Sequence, residues 1–346
     1  MSSNATLILA FESTCDETAV AIVENGRRVI AETVASQIKA HAEFGGVVPE
    51  IASRAHIEAI VPTLKQTLRT AGRDLGDIDA VAVANRPGLV GCLVVGLTAA
   101  KTLAWTLDKP LVGVDHVQAH LYSVRLDNQA EPELPAVGLV VSGGHTSLYL
   151  VRDWTDIELI GRTIDDAVGE AYDKVAAMLN LGYPGGPLID RRAARGDAAH
   201  VRFPRSMLGK TSLDFSFSGL KTAVLYHVRG KSGKEREASE LSESQIDDVC
   251  ASFQAACVDT LVRKLKRALE QTGGRSVIIG GGVSANRGLR DALEKLPVPV
   301  YTPAIRYCTD NAAMTGGLAH LLLERGMTDD LDLDASPRTT LRGAAT

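Results

Sequence analysis

The chain has 346 residues, 45% of them apolar, and a net charge of −5. That is room for two cores at roughly 100 to 200 residues per domain, and it excludes a disordered chain or a wholly basic nucleic-acid coat. Five cysteines without a CxxC pair argue against a disulfide framework or a cysteine zinc site and fit a reducing compartment, where buried thiols are expected. Glu12 stops the first apolar run early and no stretch is expected to span a bilayer, so the expectation is a soluble, cytoplasmic protein.

Taken in order, Leu7 to Phe11 reads as a strand, Glu12 to Thr18 as a polar turn and Ala19 to Val23 as the returning strand, followed by an apolar run from Arg28 to Val34. Pro49 suits the first turn of a helix whose buried stripe is Ile51, Ala55, Ala59 and Ile60, with Ser53, Arg54, His56 and Glu58 off the stripe. His41, His56 and the Gly45-Gly46 pair mark an edge where binding is conceivable. Asp79 to Ala84 reads as a buried strand, Asn85 to Gly91 as a turn, then a helix to about Leu107 and a strand from Leu111 to Val114. Strand alternating with helix means parallel pairing and an α/β class.

In Asp115-His-Val-Gln-Ala-His120 the two histidines stand at i and i+4, on one face of a helix at the spacing of two metal ligands, and Asp115 can cap the helix start. Two histidines satisfied by other hydrogen bonds remain the alternative. Val117 replaces the glutamate that a zincin needs, which disfavours a metalloprotease. The polar, proline-bearing stretch Leu126 to Pro135 marks the boundary of a second lobe.

That lobe repeats the layout of the first. Ala136 to Val151 is strand, Ser-Gly-Gly-His-Thr turn and strand, with Ile157 to Thr163 as the third run. Val140, Val141, Ser142, Gly143 and Gly144 form a corner expected to take φ > 0 and to face backbone N–H groups at an anionic oxygen. Asp165 or Asp166 is expected to cap the next helix, and Asp166, Glu170 and Asp173 to share a face of it. The loop Gly182-Tyr-Pro-Gly-Gly-Pro187 follows, with Gly186 in it and Asp190 just beyond. Between Arg191 and Arg236 the charge balance turns basic, through Arg192, Arg195, Arg202, Arg205, Lys210, Lys221, Arg229, Lys231 and Lys234. It is either a solvated surface or a local nucleic-acid patch.

Asp214 to Thr222 leads from loop to helix, and Gln245 to Leu269 is a long amphipathic helix. The strand Ser276 to Ile279 runs into Gly280-Gly-Gly-Val-Ser-Ala-Asn-Arg-Gly288 and a helix from about Leu289. Lacking both Gly-Lys-Ser/Thr and GxGxxG, it suits a nucleoside better than a P-loop or dinucleotide fold. Val298 to Tyr301 is the last strand, and Asp310 is both the expected N-cap of a helix ending near Leu323 and the candidate third ligand beside His116 and His120. The tail from Met327 is polar and expected on the surface.

Two phosphate hairpins in repeated lobes and a glycine-rich nucleoside turn resemble the actin, Hsp70 and sugar kinase superfamily. Within it, ESTCDET, GGVVPEIASRAH, HVQAH, LVVSGGHT, GEAYDKV, YPGGP, DFSFSGLKTA, GGVSANR and YCTDNAAM resemble the tRNA threonylcarbamoyladenosine transferase family, TsaD. The resemblance implies a two-lobed fold with a ribonuclease H-like sheet in each lobe and a cleft between them: an N-terminal lobe over 1–127, a C-terminal lobe over 135–310, and a returning helix and tail over 311–346. It implies transfer of threonylcarbamoyl from threonylcarbamoyl-adenylate to N6 of the adenosine 3′ of the anticodon in tRNA, releasing AMP. His116, His120 and Asp310 would hold one iron(II) or zinc ion. Val140 to Gly144, Asp173, Gly186, Asp190 and Asn286 would hold the adenylate, AMP or ATP with magnesium. Glu12 and Asp16 are the candidates to take the proton from N6. Partners would be tRNA, a smaller paralogous subunit (TsaB-like) and a small ATPase (TsaE-like), with no membrane. A sugar kinase-like phosphotransferase and a noncatalytic relative are the alternatives. Arg86 departs from the family's glycine in NRPGL, and the tail lacks the family's usual ending.

Overall fold

A computed structural model describes residues 5–128, 131–230 and 238–343. The chain divides into two units, Met1–Glu131 with Pro303–Thr346, and Pro132–Thr302. Lys231, Lys234 and Arg236 of the basic stretch lie outside the described residues.

In the first unit, β1 (Leu7–Glu12), β2 (Glu17–Glu24) and β3 (Arg28–Ser36) form an antiparallel meander. After α1 (Ile38–His41) and α2 (Pro49–Ala71), β4 (Ala80–Arg86), α3 (Val90–Leu107) and β5 (Leu111–Asp115) add two parallel strands. The sheet order is β3-β2-β1-β4-β5. The short helix α4 (His116–Tyr122) follows directly.

The second unit repeats that arrangement. β6 (Ala136–Val141), β7 (Thr146–Asp153) and β8 (Asp156–Arg162) make the meander, followed by α5 (Val168–Met178), α6 (Gly185–Ala193), α7 (Ser218–Arg229) and α8 (Glu243–Thr272). β9 (Ser276–Gly280), α9 (Arg287–Leu293) and β10 (Val300–Tyr301) complete the order β10-β9-β6-β7-β8. α10 (Ala312–Glu324) belongs to the first unit, packing on β1, β2 and α4. The fold is therefore α/β with two mixed sheets of one topology, as the repeated hairpins predict. Central strands such as β1, β4 and β6 are buried on both faces, which is why they read as continuous apolar runs.

Several local expectations are corrected. The buried stripe of α2 is Ala52, His56, Ile60, Thr63 and Thr67, one residue out of step with the Ile51 stripe. His56 and Thr67 hold their buried positions because each finds a partner: His56 Nε2 donates to the Cys15 carbonyl at 3.0 Å, and the Thr67 hydroxyl donates to Val20 O at 3.1 Å. Neither Asp165 nor Asp166 caps α5, whose N-cap is Ala167 without a side-chain bond. Asp165 instead accepts from Phe217 N at 2.8 Å and Ser218 N, at the start of α7, while Asp166 pairs with Lys174 and Lys221. The cap of α10 is Asn311, accepting from Met314 N at 2.9 Å, which releases Asp310 from that role.

α3 is long and apolar enough to cross a membrane by length and composition, contrary to the expectation that no stretch is. Cys92, Leu93, Gly96, Leu97, Ala100 and Ala104 are buried in the first unit, while Val90, Val94 and Trp105 on the same helix are exposed. Four of the five cysteines are buried free thiols and Cys15 is half-buried.

Candidate active site

The predicted site residues fall into two groups, one in each unit. In the first unit, Asp115 ends β5 and caps α4, its Oδ1 accepting from Val117 N at 3.0 Å and Gln118 N at 3.2 Å. The helix places His116 and His120 on one face, their rings edge to face with centroids 4.5 Å apart. Asp310, just before α10, sets Oδ1 at 3.1 Å from His120 Nε2 and 3.5 Å from His116 Nε2. One ligand atom from each of the three residues lies within 4.8 Å of the others.

Glu12, at the end of β1, is wholly buried and sets Oε2 at 3.0 Å from His116 Nδ1, while Oε1 accepts from Thr14 N at 2.8 Å. A carboxylate there makes Nδ1 a donor and leaves Nε2 as the nitrogen that faces Asp310 and would bind a metal once it gives up its proton, the carboxylate–histidine arrangement of metal sites. Glu12 is thereby placed to orient His116. Burial disfavours a charged His116, yet the Glu12 and Asp310 carboxylates outweigh it and push its pKa up to about 9. Burial and the neighbouring His116 hold His120 below the usual value.

Asp16 lies half-buried in the β1–β2 turn, its backbone carbonyl held by Gln37 N at 3.0 Å. Burial together with Asp16 and Asp310 pushes the carboxyl of Glu17, the first residue of β2, well above the usual carboxylate range. His56, expected on a solvated face, buttresses the turn from behind by accepting from the Thr18 hydroxyl at 2.7 Å.

Two imidazole nitrogens and a carboxylate oxygen suit iron(II) or zinc and leave coordination positions open. The orientation of His116 by Glu12 fits the residues to such an ion.

In the second unit, Val140 and Val141 end β6 and Ser142 to Gly144 make the turn. It closes through Ser142 N to His145 O at 2.8 Å and His145 N to Ser142 Oγ at 3.1 Å. Neither Gly143 nor Gly144 takes positive φ, against expectation, because these two bonds shape the corner without it. A Cβ at either would meet open space, as at Gly186, so nothing in the protein itself crowds these backbones. Gly169 and Gly281 are the demanding positions: a Cβ on either would stand 2.4 Å from the carbonyl oxygen of Ser142 or Val141. Those close approaches bring the start of α5 and the triple-glycine turn onto the hairpin.

Asp173 accepts from Gly185 N at 2.7 Å and fixes the start of α6. Asp190 on α6 accepts from Gln254 Nε2 at 3.1 Å and Arg287 Nε at 2.9 Å, and Gln254 Oε1 accepts from Asn286 Nδ2 at 2.7 Å. Asn286 also caps α9 through Leu289 N at 2.9 Å. Gln254 and Arg287 were missed in the sequence. The signal for Gln254 was a polar residue among Cys250, Phe253, Cys257 and Leu261 on the apolar stripe of α8.

The model of the family "TsaD: tRNA N6-adenosine threonylcarbamoyltransferase" matches residues 28–317. A protein of that name from Symbiobacterium thermophilum is 50% identical over 335 residues, covering 96% of each chain. One from Trichlorobacter lovleyi is 49% identical over 334 residues, covering 95% of each. Among solved structures, T. kodakarensis HypF resembles the chain with a TM-score of 0.58 at 14% identity, covering 93% of this chain and 48% of that one, a likeness of fold.

Proposed function

Since the chain belongs to the tRNA N6-adenosine threonylcarbamoyltransferase family, we propose that it transfers threonylcarbamoyl from threonylcarbamoyl-adenylate to N6 of the adenosine 3′ of the anticodon. The observation that carries the reading is the convergence of His116, His120 and Asp310, with Glu12 behind His116.

A mixed anhydride already has a good leaving group, so the protein need not supply a nucleophile. The N6 nitrogen forms the new bond to the carbamoyl carbon, the bond from that carbon to the phosphate oxygen breaks, AMP leaves and N6 loses a proton. His116, His120 and Asp310 would hold an iron(II) or zinc ion, which when bound polarises a carbonyl, a contribution of about several kcal/mol in general. Glu12 fixes the tautomer and angle of His116. Asp16 and Glu12 are the candidates to accept the N6 proton.

In the second unit, the open backbone of Ser142 to Gly144 receives the phosphate, whose charge rises as the bond breaks. Asp190, Gln254 and Asn286 form a prearranged network for the nucleoside, with Asp173 and Gly186 shaping the α6 end. AMP is the expected occupant, and ATP with magnesium would use the same groups.

The phosphotransferase alternative leaves the two histidines and Asp310 without a task, and the noncatalytic alternative predicts missing ligands. Ile57 and Val61 on α2 and Val90 and Val94 on α3 expose apolar side chains on two helices that pack together. This is the face assigned to a smaller paralogous subunit, with a small ATPase supporting repeated turnover. The proposed compartment is the cytoplasm.

The test is incubation with threonylcarbamoyl-adenylate and unmodified tRNA, with mass spectrometry of the digested nucleosides. Expected is N6-threonylcarbamoyladenosine with an equal amount of AMP; AMP alone, or sugar-stimulated ATP turnover, would overturn the reading.

A further inference from the structure

After α10 the chain turns back and runs along β5, an edge strand of its sheet. Asp329 N donates to Leu111 O at 2.8 Å, and the Asp329 carboxylate accepts from Gly113 N at 2.8 Å. Leu333 lies over Gly113, where a Cβ would come within 2.8 Å of it, and Asn85 binds the tail twice, its side-chain Nδ2 donating to Asp334 O at 2.8 Å and its backbone carbonyl accepting from Ser336 N at 3.0 Å. An unpaired edge is thereby covered. The tail lies on the surface as expected, and it is tied to β5 by these contacts.

The end of this strap reaches the metal helix. The Thr339 hydroxyl donates to Asp115 Oδ2 and is itself fixed by accepting from Leu341 N at 3.2 Å. Asp115 is 5% exposed, and its other oxygen caps α4. A seven-residue helix has little stability of its own and depends on its cap. Without Thr339, Oδ2 loses a buried partner, and the carboxylate can turn away from Val117 N and Gln118 N. Arg86 stands opposite Asp115 in the β4–β5 register and adds a cation to this corner.

We propose that Thr339 is a positioning residue that, through Asp115, sets the angle at which His116 and His120 face Asp310. Its consequence for metal rests on the metal-centre reading above; the contact itself does not.

The experiment uses the full chain with Thr339→Val, Thr339→Ala and Thr339→Ser, and two readouts: amide hydrogen exchange at Val117 and Gln118, and zinc affinity by chelator competition. A lost cap of this kind predicts exchange at the two amides faster by about fivefold in the Val and Ala variants. Zinc binding should weaken by roughly three- to tenfold, below the range for a direct partner of a ligand. Thr339→Ser should match the parent, and the melting temperature should hardly move. Parental exchange and zinc affinity in both Val and Ala variants would overturn the proposal. Faster exchange in a protein whose parent binds no zinc would support the strap while refuting the metal reading.

Discussion

Glu12 carries a glutamate's chemistry in a place that only the fold reveals. In sequence it is one of several acidic residues in ESTCDET, and nothing in the spacing separates it from Asp16. In the structure its full burial and the 3.0 Å contact to His116 Nδ1 give it an orienting task. The i, i+4 histidines, by contrast, were legible because helical geometry alone puts them on one face. Gln254 belongs with Glu12, as its partners Asp190 and Asn286 lie 64 and 32 residues away in sequence. Replacing Gln254 with Leu strands polar groups on both partners. The expected cost is about 1–3 kcal/mol of stability, measured by urea unfolding, together with weaker AMP binding by calorimetry. A variant as stable as the parent would show that the network is dispensable.

Strands were read well where an apolar run decided the matter, and of the predicted helix caps Asp115 held while those of α5 and α10 did not. The meanders, the Pro49 helix start and the Asp115 cap follow from local chemistry. The α2 stripe was not legible, because His56 and Thr67 occupy buried positions through hydrogen bonds to other segments. The start of α10 shows the same dependence. There Glu32 on β3 accepts from Ala313 N at 2.9 Å. Burial pushes Glu32 up to about 7, and the Ala313 and Ala312 amides oppose that shift only in part. A carboxyl whose folded pKa is raised contributes stability at pH below its ordinary value of 4.5 and loses it as pH rises through about 7. Glu32→Gln keeps the acceptor and removes the charge. It should gain about 2–4 °C in Tm on the parent at pH 8 and much less at pH 5. A gain that does not grow with pH would contradict this.

Across the whole molecule, the repeated hairpins announced two sheets of one topology, and the structure bears this out in the shared strand order. The return of α10 to the first unit was implied by the family resemblance and not by any local signal, since it rests on contacts with β1, β2 and α4. The basic stretch also changes meaning. Arg192 and Arg195 pair with Asp247, Arg205 with Asp259 and Lys221 with Asp166, so these cations are spent on internal contacts. Arg191, Arg202 and Lys210 remain exposed. Replacing those three with Ala should weaken tRNA binding and lower its salt slope by up to about 2, whereas Arg192→Ala should act mainly on stability. An unchanged slope in the triple variant would remove the stretch from the tRNA surface. The central claim is that the His116, His120 and Asp310 centre carries the transfer. It is tested most directly by measuring metal content and the single-turnover rate of N6-threonylcarbamoyladenosine formation in the parent and in His116→Ala. Metal and transfer should be lost together, the rate by roughly a thousandfold or more, equivalent to about 4 kcal/mol. A His116→Ala protein that has lost its metal and still transfers at the parental rate would contradict the account.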